Sequence, residues 1–453
     1  MEFSATSARA LDFWPDVRRV VKLAVPVCLG ELGWMAMGTV DTIMVGRLGA
    51  AAIGAIGIGN STFYTLAISS VGLLFGLDTL VSQSYGAGKR DDCHRSLAQG
   101  VYIALGISPL LMVLFAFAPR FFYVLKITPD VSRLAGPFVL TLSFGTLPLL
   151  LYAAFRRYLQ GIGHVRPIMF TLITANLINW FFNWLLISGH WGLPALGVVG
   201  SALSTCLARV YLAGMLAMFI WWFERDIRRT LPPLVRKPDW IRIKRLLQIG
   251  YPAALQILME IGAFGTAAVF AGRISANAMA AHQIALNCAA VTFMVPLGIS
   301  SAAAVAVGQA LGRREPYIAR RNGFIAIGLG LAFMSCAALA FVLIPLPIVH
   351  VFTNAPAVVS VTVRLLGLAA LFQLFDGTQT VGTGALRGLG NTRIPALVNF
   401  VAYWLCGLPL GYWLCFVVLW GIYGVWVGLT VALIGTAVIL LYAWDRESKI
   451  VLA

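Results

Sequence analysis

Long apolar runs separated by short polar stretches repeat along the whole chain. Each run holds about 20 residues or more, enough for an α-helix to cross a hydrocarbon core of roughly 30 Å. The pattern predicts twelve such helices, at residues 20–45, 52–82, 96–118, 134–155, 167–187, 195–222, 246–270, 278–308, 322–345, 358–382, 395–418 and 421–444. We therefore expect an all-α integral membrane protein with twelve transmembrane helices.

The composition agrees with this interpretation. Apolar residues make up 60% of the chain and charged residues only 11%, which is far from the balance of soluble domains. The polar start at residues 1–19 is followed by an apolar run too long for a signal peptide, so we expect no cleaved leader. The seven cysteines are scattered without metal-ligand spacing, and we interpret them as small core residues.

The basic residues lie mainly on one side of the predicted membrane. Of 33 Lys and Arg residues, 26 fall in the N-terminal segment, the even-to-odd loops and the C-terminal tail, and only five in the opposite loops. By the positive-inside rule, both termini are cytoplasmic. The net charge of +16 is thus a topology signal and a contact for anionic lipids, and we expect no nucleic-acid partner.

The chain divides at its midpoint into two similar halves. "LAVPV" at 23 matches "IGYPA" at 249, and "LQGIGHVR" at 159 matches "LRGLGNTR" at 386, at nearly constant offset. A proline-rich basic stretch lies between the halves. These features predict five regions: a cytoplasmic segment at 1–19, a first lobe of helices 1–6 at 20–222, a cytoplasmic linker at 223–245, a second lobe of helices 7–12 at 246–444 and a tail at 445–453.

Each half has six helices, so both halves begin on the cytoplasmic side. They are parallel repeats, that is, two six-helix bundles related by an axis along the membrane normal. Substrates of such proteins bind near the midplane between the repeats. The architecture favours a transporter.

Five of the 17 acidic residues fall inside predicted spans: Glu31, Asp41, Asp78, Glu260 and Asp376. Ionisable groups at that depth commonly mark ion or substrate pathways. The predicted spans contain only two basic residues, Arg209 and Arg364. At most two of the acids can therefore be ion-paired, and we expect the others to be protonated, cation-bound or hydrated.

Asp41 is the first candidate for such a site. Asn179 and Asn183 share one face of helix 5 at i and i+4, and carboxylate and amide oxygens suit a hard cation such as Na⁺ or a proton relay. The alternative is that the asparagines only link helices by hydrogen bonds. The second half has Ala267 where the first has Asp41, so this carboxylate is not part of the shared scaffold.

Glu260 and Asp376 are the acidic candidates of the second lobe, and neither has an acidic counterpart in the first lobe. Gln373, Asp376 and Thr380 lie along one side of helix 10 at i, i+3 and i+7. A continuous polar stripe inside a span indicates a cavity. We therefore expect Gln373 and Thr380 to line a substrate cavity.

Further candidates are less specific. Glu31 lies shortly after Pro26, where the missing amide hydrogen bond favours a helix kink, and we count Glu31 among the substrate-cavity candidates. An unperturbed histidine titrates near neutrality, and on this ground His282 joins that group with Gln283, although a hydrogen-bonded core histidine is the alternative. Asp78, near the cytoplasmic end of helix 2, either caps the helix or has a function.

Other classes find little support in the sequence. No phosphate-binding loop of the form G-x-x-x-x-G-K-[ST] is present, so we expect no coupling to ATP hydrolysis within this chain and no cofactor. No DDxxD-like or His-centred cluster lies at a membrane face, which speaks against a membrane enzyme. A flippase for a lipid-linked precursor stays open as an alternative.

Several stretches together resemble the MATE (multidrug and toxic compound extrusion) family over nearly the whole chain: "VDTIMVGRLGA", "AHQIALN", "PLGISSAAAVAVGQALG" and "FQLFDGTQTVGTGALRGLGNTRIP". The pattern is most similar to the bacterial NorM-like branch, because Glu260 and Asp376 match its second-lobe acidic positions. Asp41 matches the family's first-lobe aspartate, and Asn179, Asn183 and Thr205 match polar positions of its cation site. "GLDTLVSQSYGAGK" at 76–89 looks closer to the eukaryotic branch.

The resemblance implies the MATE fold, which belongs to the wider MOP superfamily. It implies export of cationic amphiphilic drugs and other organic cations in exchange for inward Na⁺ or H⁺, by alternating access, with a role in antibiotic resistance. It implies a multi-pass protein of the bacterial inner membrane, and we expect a monomer in contact with lipids. The choice between Na⁺ and H⁺, the physiological substrate and the drug-binding lobe stay open.

Overall fold

The structure is a computed structural model that describes residues 13–124, 127–224 and 237–452. Within these ranges the regular structure is helical, with no strand. Eleven helices are long and apolar enough to cross a membrane, and one bent helix pair completes a twelfth span. The all-α, twelve-span prediction is confirmed.

The first six spans follow one another with short connections. We label them α1 Phe13–Gly46, α2 Ala50–Gly86, α3 Arg90–Ala116, α4 Pro129–Ser143 continued by Thr146–Gly161, α5 Arg166–Ser188 and α6 Gly197–Phe223. A 3₁₀ turn at Leu73–Phe75 interrupts α2, and the two parts of α4 meet at a bend of 48°. A short helix, Ala118–Val124, follows α3.

The last six spans repeat this order. They are α7 Trp240–Ile274, α8 Ala276–Gly312, α9 Pro316–Leu343, α10 Pro356–Leu389, α11 Arg393–Val417 and α12 Ile422–Ile450, with a short helix Pro345–His350 after α9. Within α11, two segments have π-helical hydrogen bonding, Phe400–Gly407 and Trp413–Val417. Such wide turns are rare and are frequently found at functional sites.

Several helices extend beyond the predicted apolar runs. α1 begins at Phe13, inside the predicted polar segment 1–19, and α12 continues to Ile450, inside the predicted tail. α4 continues to Gly161, although the predicted span ends at residue 155. Polar residues end a hydropathy window without ending a helix. Residues 1–12 and most of the predicted linker, 225–236, lie outside the described residues.

The chain forms two compact units. The first unit contains Gly30–Tyr85 and Lys89–Ala254, and the second contains Met1–Leu29, Gly86–Gly88 and Leu255–Ala453. The divisions within α1 and α7 thus fall just after Pro26 and Pro252, whose rings cannot take part in the regular helical hydrogen bonding. The lobes 20–222 and 246–444 were predicted from the sequence repeat and stay a prediction. The boundaries of the compact units lie elsewhere, inside α1 and α7.

Small residues allow close helix packing in the second unit. A Cβ atom on Gly384 of α10 would lie 2.2 Å from the backbone oxygen of Ser300 on α8. Ser300 Oγ also donates to the Thr380 carbonyl oxygen at 2.7 Å. Backbones at this distance gain dispersion energy and interhelical hydrogen bonds. These interactions hold helices together in a membrane, because the hydrophobic effect does not drive helix association within lipid.

Candidate functional site

Asp41 of α1 is the centre of a polar cluster in the first unit, and it is only 6% exposed. Asn183 Nδ2 of α5 donates to Asp41 Oδ1 at 2.5 Å, and Thr205 Oγ1 of α6 donates to Oδ2 at 3.0 Å. Asn183 Nδ2 also donates to Asn179 Oδ1, one turn earlier on α5, at 3.2 Å. The structure thus brings together the four first-lobe residues that the sequence and its resemblance single out.

This cluster has hydrogen-bonding capacity left over. Asn183 Oδ1, Asn179 Nδ2 and Ser201 Oγ are buried and have no hydrogen-bond partner among the described residues. Asp41 forms no ion pair within the described part of the chain. A carboxylate with neighbouring amide and hydroxyl oxygens is a donor set for a hard cation, or for a proton.

The remaining first-unit acids have a different environment. Arg156 Nη2 donates to Glu31 Oε1 in a buried ion pair, and Arg157 Nη1 pairs with Asp78 Oδ2 at 3.0 Å. The premise that only Arg209 and Arg364 could neutralise intramembrane acids is therefore wrong, because α4 carries two more buried arginines. Glu31 is ion-paired in the structure, and its place in a substrate cavity stays a prediction.

Glu260 of α7 and Asp376 of α10 interact electrostatically in the second unit. Gln379 Nε2 donates to Asp376 Oδ1 at 3.2 Å. Tyr403, in the first π-helical segment, is fully buried, interacts electrostatically with both carboxylates, and its hydroxyl has no partner of hydrogen-bonding geometry among the described residues. The structure brings the two predicted acids together and adds Gln379, at i+3 from Asp376 on the same helix, and Tyr403, whose proximity no spacing rule reveals.

The predicted cavity residues of the second unit differ in their partners and in their exposure. Gln373 Oε1 accepts from Thr292 at 2.7 Å, and its buried Nε2 has no partner within the described residues. His282 is buried, and its Nδ1 accepts from Trp426 Nε1 at 3.1 Å. This contact matches the alternative of a hydrogen-bonded core histidine. Thr380 is buried on α10, whereas Gln283 is exposed on α8.

Pro26 lies inside α1, which runs without a break from Phe13 to Gly46. Close to it, Cys28 Sγ contacts the Val295 carbonyl oxygen at 3.3 Å within the second unit. In the structure the helix continues through Pro26. The kink at Pro26 stays a prediction.

One polar cluster near the end of α6 was not predicted. Tyr158 of α4 donates its hydroxyl hydrogen to Glu224, and His94 Nδ1 of α3 lies 3.0 Å from the same carboxylate. All three residues stand at helix ends, where polar residues are common and carry little signal in a single sequence.

Comparison with known proteins agrees with the geometry. A model of the MatE family matches residues 26–185 and 252–413. The multidrug resistance protein NorM of Burkholderia vietnamiensis is 34% identical over 438 residues, covering 95% of this chain and 94% of the relative. The multidrug resistance protein MdtK of Edwardsiella ictaluri is 31% identical over 437 residues, covering 94% and 95%.

The same holds for solved structures. The crystal structure of the eukaryotic MATE transporter AtDTX14 matches with a TM-score of 0.87 at 20% identity, covering 97% of this chain and 98% of that one. This likeness shows a common fold. The two segments that match the family model begin at Pro26 and Pro252, the prolines that the internal repeat aligns. The chain therefore belongs to the MATE family, as a NorM-like transporter and not an enzyme.

Proposed function

We propose that the protein is a secondary active exporter of cationic amphiphilic organic compounds, driven by the inward flow of Na⁺ or H⁺ through alternating access. The observation that carries this proposal is the buried Asp41 carboxylate, which is held by an amide and a hydroxyl and has no ion pair within the described chain. The names of the relatives NorM and MdtK, both multidrug resistance proteins, support the substrate class.

Coupling follows from competition for one negative charge. In the outward-facing state a cation or proton neutralises Asp41, and a cationic drug that was attracted to the carboxylate leaves. Return to the inward-facing state releases the ion to the cytoplasm. A ligand can drive such a cycle only through its different affinities for the two states. A change of the α1 bend at Pro26 is the movement that we associate with this step.

The donor set is compatible with Na⁺ as well as H⁺. Asn183 offers an N–H group to Asp41 in the structure, which stabilises an ionised carboxylate. Turning the amide by 180° would present Oδ1 instead. Asp41, Asn179, Asn183 and Thr205 would then offer a cation oxygen ligands from three helices. A proton needs no such turn, so the two ions make different demands on Asn183.

The second unit supplies another carboxylate site. Glu260 and Asp376 have like charges close together, so binding a cation or a proton there relieves both repulsion and burial. We propose that this pair takes part in ion coupling or in cation recognition. For the membrane setting we propose the bacterial inner membrane with both termini cytoplasmic, in line with the Lys and Arg distribution.

Efflux from proteoliposomes tests the proposal. Purified protein is reconstituted, ethidium is loaded, and a Na⁺ gradient or a pH gradient is imposed separately. We expect one gradient to drive efflux in the wild type and Asp41→Asn to abolish it. Thr42→Val is the matched control, because Thr42 is an exposed neighbour that bonds only to its own helix, to the Gly38 carbonyl oxygen. Efflux that ignores both gradients, or that survives Asp41→Asn, would contradict antiport through this residue.

A further inference from the structure

Arg209 of α6 is the one other charged group that belongs to the Asp41 cluster among the described residues. It is 1% exposed, and its guanidinium lies 4.5 Å from the ring centroid of Phe63 on α2. Its Nε, Nη1 and Nη2 atoms make no well-aligned hydrogen bond within the described residues, but the Tyr64 hydroxyl lies close enough to interact with the guanidinium. A guanidinium has five N–H donors, so donors remain for a ligand beside the contact with Tyr64.

The position of Arg209 relates it to Asp41. Ser201, Thr205 and Arg209 follow one another at i, i+4 and i+8, so they share one face of α6. Thr205 touches the Asp41 carboxylate, and Arg209 lies one turn, about 6 Å, further along the axis. Arg209 interacts electrostatically with Asp41 and Tyr64. Arg209 and Asp41 nevertheless form no ion pair. The cluster thus has a negative and a positive pole.

A purely structural role explains this arrangement poorly. The two other buried arginines of the first unit, Arg156 and Arg157, are each paired with a carboxylate. Removing a charge from water without such pairing is costly. Counting from the Trp-Gly pairs at 191 and 420, the second-half position that matches Arg209 is Val438. The cation at this position is therefore not a feature that both halves share.

We propose that Arg209 is the anion-recognising pole of the Asp41 site, and that the first unit thereby selects zwitterionic amphiphiles. The amine of the substrate faces Asp41, and its carboxylate accepts two parallel N–H bonds from Arg209. Planar guanidinium groups match carboxylates in this way. The inference rests on the proposed export function and names a substrate class for the same site.

The arrangement separates two kinds of cargo. A compound with only a positive charge gains from Asp41 and is repelled by Arg209. A compound that also carries a carboxylate satisfies both poles. Neutralising Arg209 should therefore harm the zwitterion while leaving the simple cation unaffected or slightly favoured. A residue needed only for folding or for ion coupling would affect both kinds of cargo equally.

A matched pair of probes tests the proposal: norfloxacin, which carries an amine and a carboxylate, and its ethyl ester, which keeps the amine and the ring system but lacks the carboxylate. Gradient-driven efflux of each is measured in proteoliposomes with wild-type protein, Arg209→Met and Arg209→Lys. We expect Arg209→Met to weaken the apparent affinity for norfloxacin by about ten- to a hundred-fold, as for the loss of charge-assisted hydrogen bonds, and to leave the ester unchanged. Arg209→Lys keeps the positive charge but cannot make two parallel hydrogen bonds to a carboxylate. Its apparent affinity for norfloxacin should lie between those of the wild type and Arg209→Met.

The acid-to-ester ratio within each variant decides the test, so a lower yield of folded protein does not obscure it. Arg209→Gln serves if the Met variant does not fold. An unchanged ratio in the variants overturns the proposal, whether both activities fall together or neither falls. Failure of the wild type to export either compound would instead contradict the export function itself, and Asp41→Asn should impair both probes.

Discussion

Breaking the buried pair between Glu31 and Arg156 is the sharpest test of the first unit's charge arrangement. Both side chains are 9% exposed, so removing either one leaves an uncompensated charge in the core. Such a loss costs about 3–5 kcal/mol, whereas replacing both partners by neutral groups of similar size is often nearly neutral. Glu31→Gln and Arg156→Met should each destabilise the protein, and the double variant should recover most of the loss.

Thermal unfolding of the purified protein in detergent measures this cycle. At about 2–4 °C per kcal/mol for a unit of this size, each single variant should unfold on the order of 10 °C below the wild type. Ethidium efflux from proteoliposomes is measured in parallel. Because Glu31 is ion-paired in the structure, we expect the double variant to retain export as well as stability.

Two results would refute this reasoning. If the double variant loses as much stability as both single variants together, the two side chains are not coupled and the ion pair is unimportant. If the double variant is stable but does not export ethidium, Glu31 acts in transport, as the sequence alone suggested, and the pairing with Arg156 is one state of a functional group.

Two further predictions concern the second unit. Glu260→Gln combined with Asp376→Asn should reduce gradient-driven efflux at least ten-fold, as expected if these carboxylates bind the coupling ion or the drug, and normal efflux would remove them from the mechanism. Gly384→Ala should destabilise the protein by about 1–3 kcal/mol in thermal unfolding, because its Cβ would meet the Ser300 backbone oxygen at 2.2 Å. Gly382→Ala, whose Cβ would meet nothing closer than 3.8 Å, is the control, and equal melting of the two variants would contradict the packing argument.

Hydropathy predicts the spans well, because each helix in lipid must satisfy its backbone hydrogen bonds internally and carry apolar side chains. It fails where polar residues continue a helix. The stretch "FRRYLQG" at 155–161 ends the apolar run, yet α4 continues through it. Arg156 and Arg157 are buried there against carboxylates from α1 and α2. Pairing between helices far apart in sequence cancels charges that a hydropathy scale counts as exposed.

The Asp41 cluster was predictable in part. The i, i+4 spacing of Asn179 and Asn183 places them on one face, and the family resemblance adds Asp41 and Thr205. The i, i+4 spacing places Arg209 on the same face of α6 as Thr205, but its distance from Asp41 depends on how α1, α2 and α6 pack. The same limit applies to Tyr403, whose place beside Glu260 and Asp376 depends on the π-helical segment around it.

The π-helical segments of α11 have a consequence for how this protein tolerates changes in length. Each wide turn holds one residue more than an α-turn, and one residue corresponds to about 100° of rotation around a helix axis. Deleting one residue within Phe400–Gly407 lets an α-turn replace a wide turn and leaves the two parts of α11 in phase, whereas one inserted residue would turn one part against the other by about 100°. Tyr403, beside the carboxylates, and Trp404, whose Nε1 donates to the Met259 carbonyl oxygen at 3.1 Å, lie in this segment. A single-residue insertion here acts as a rotation of an aromatic surface, and a deletion removes a wide turn, so the length of α11 is constrained by angular phase and not by membrane thickness alone.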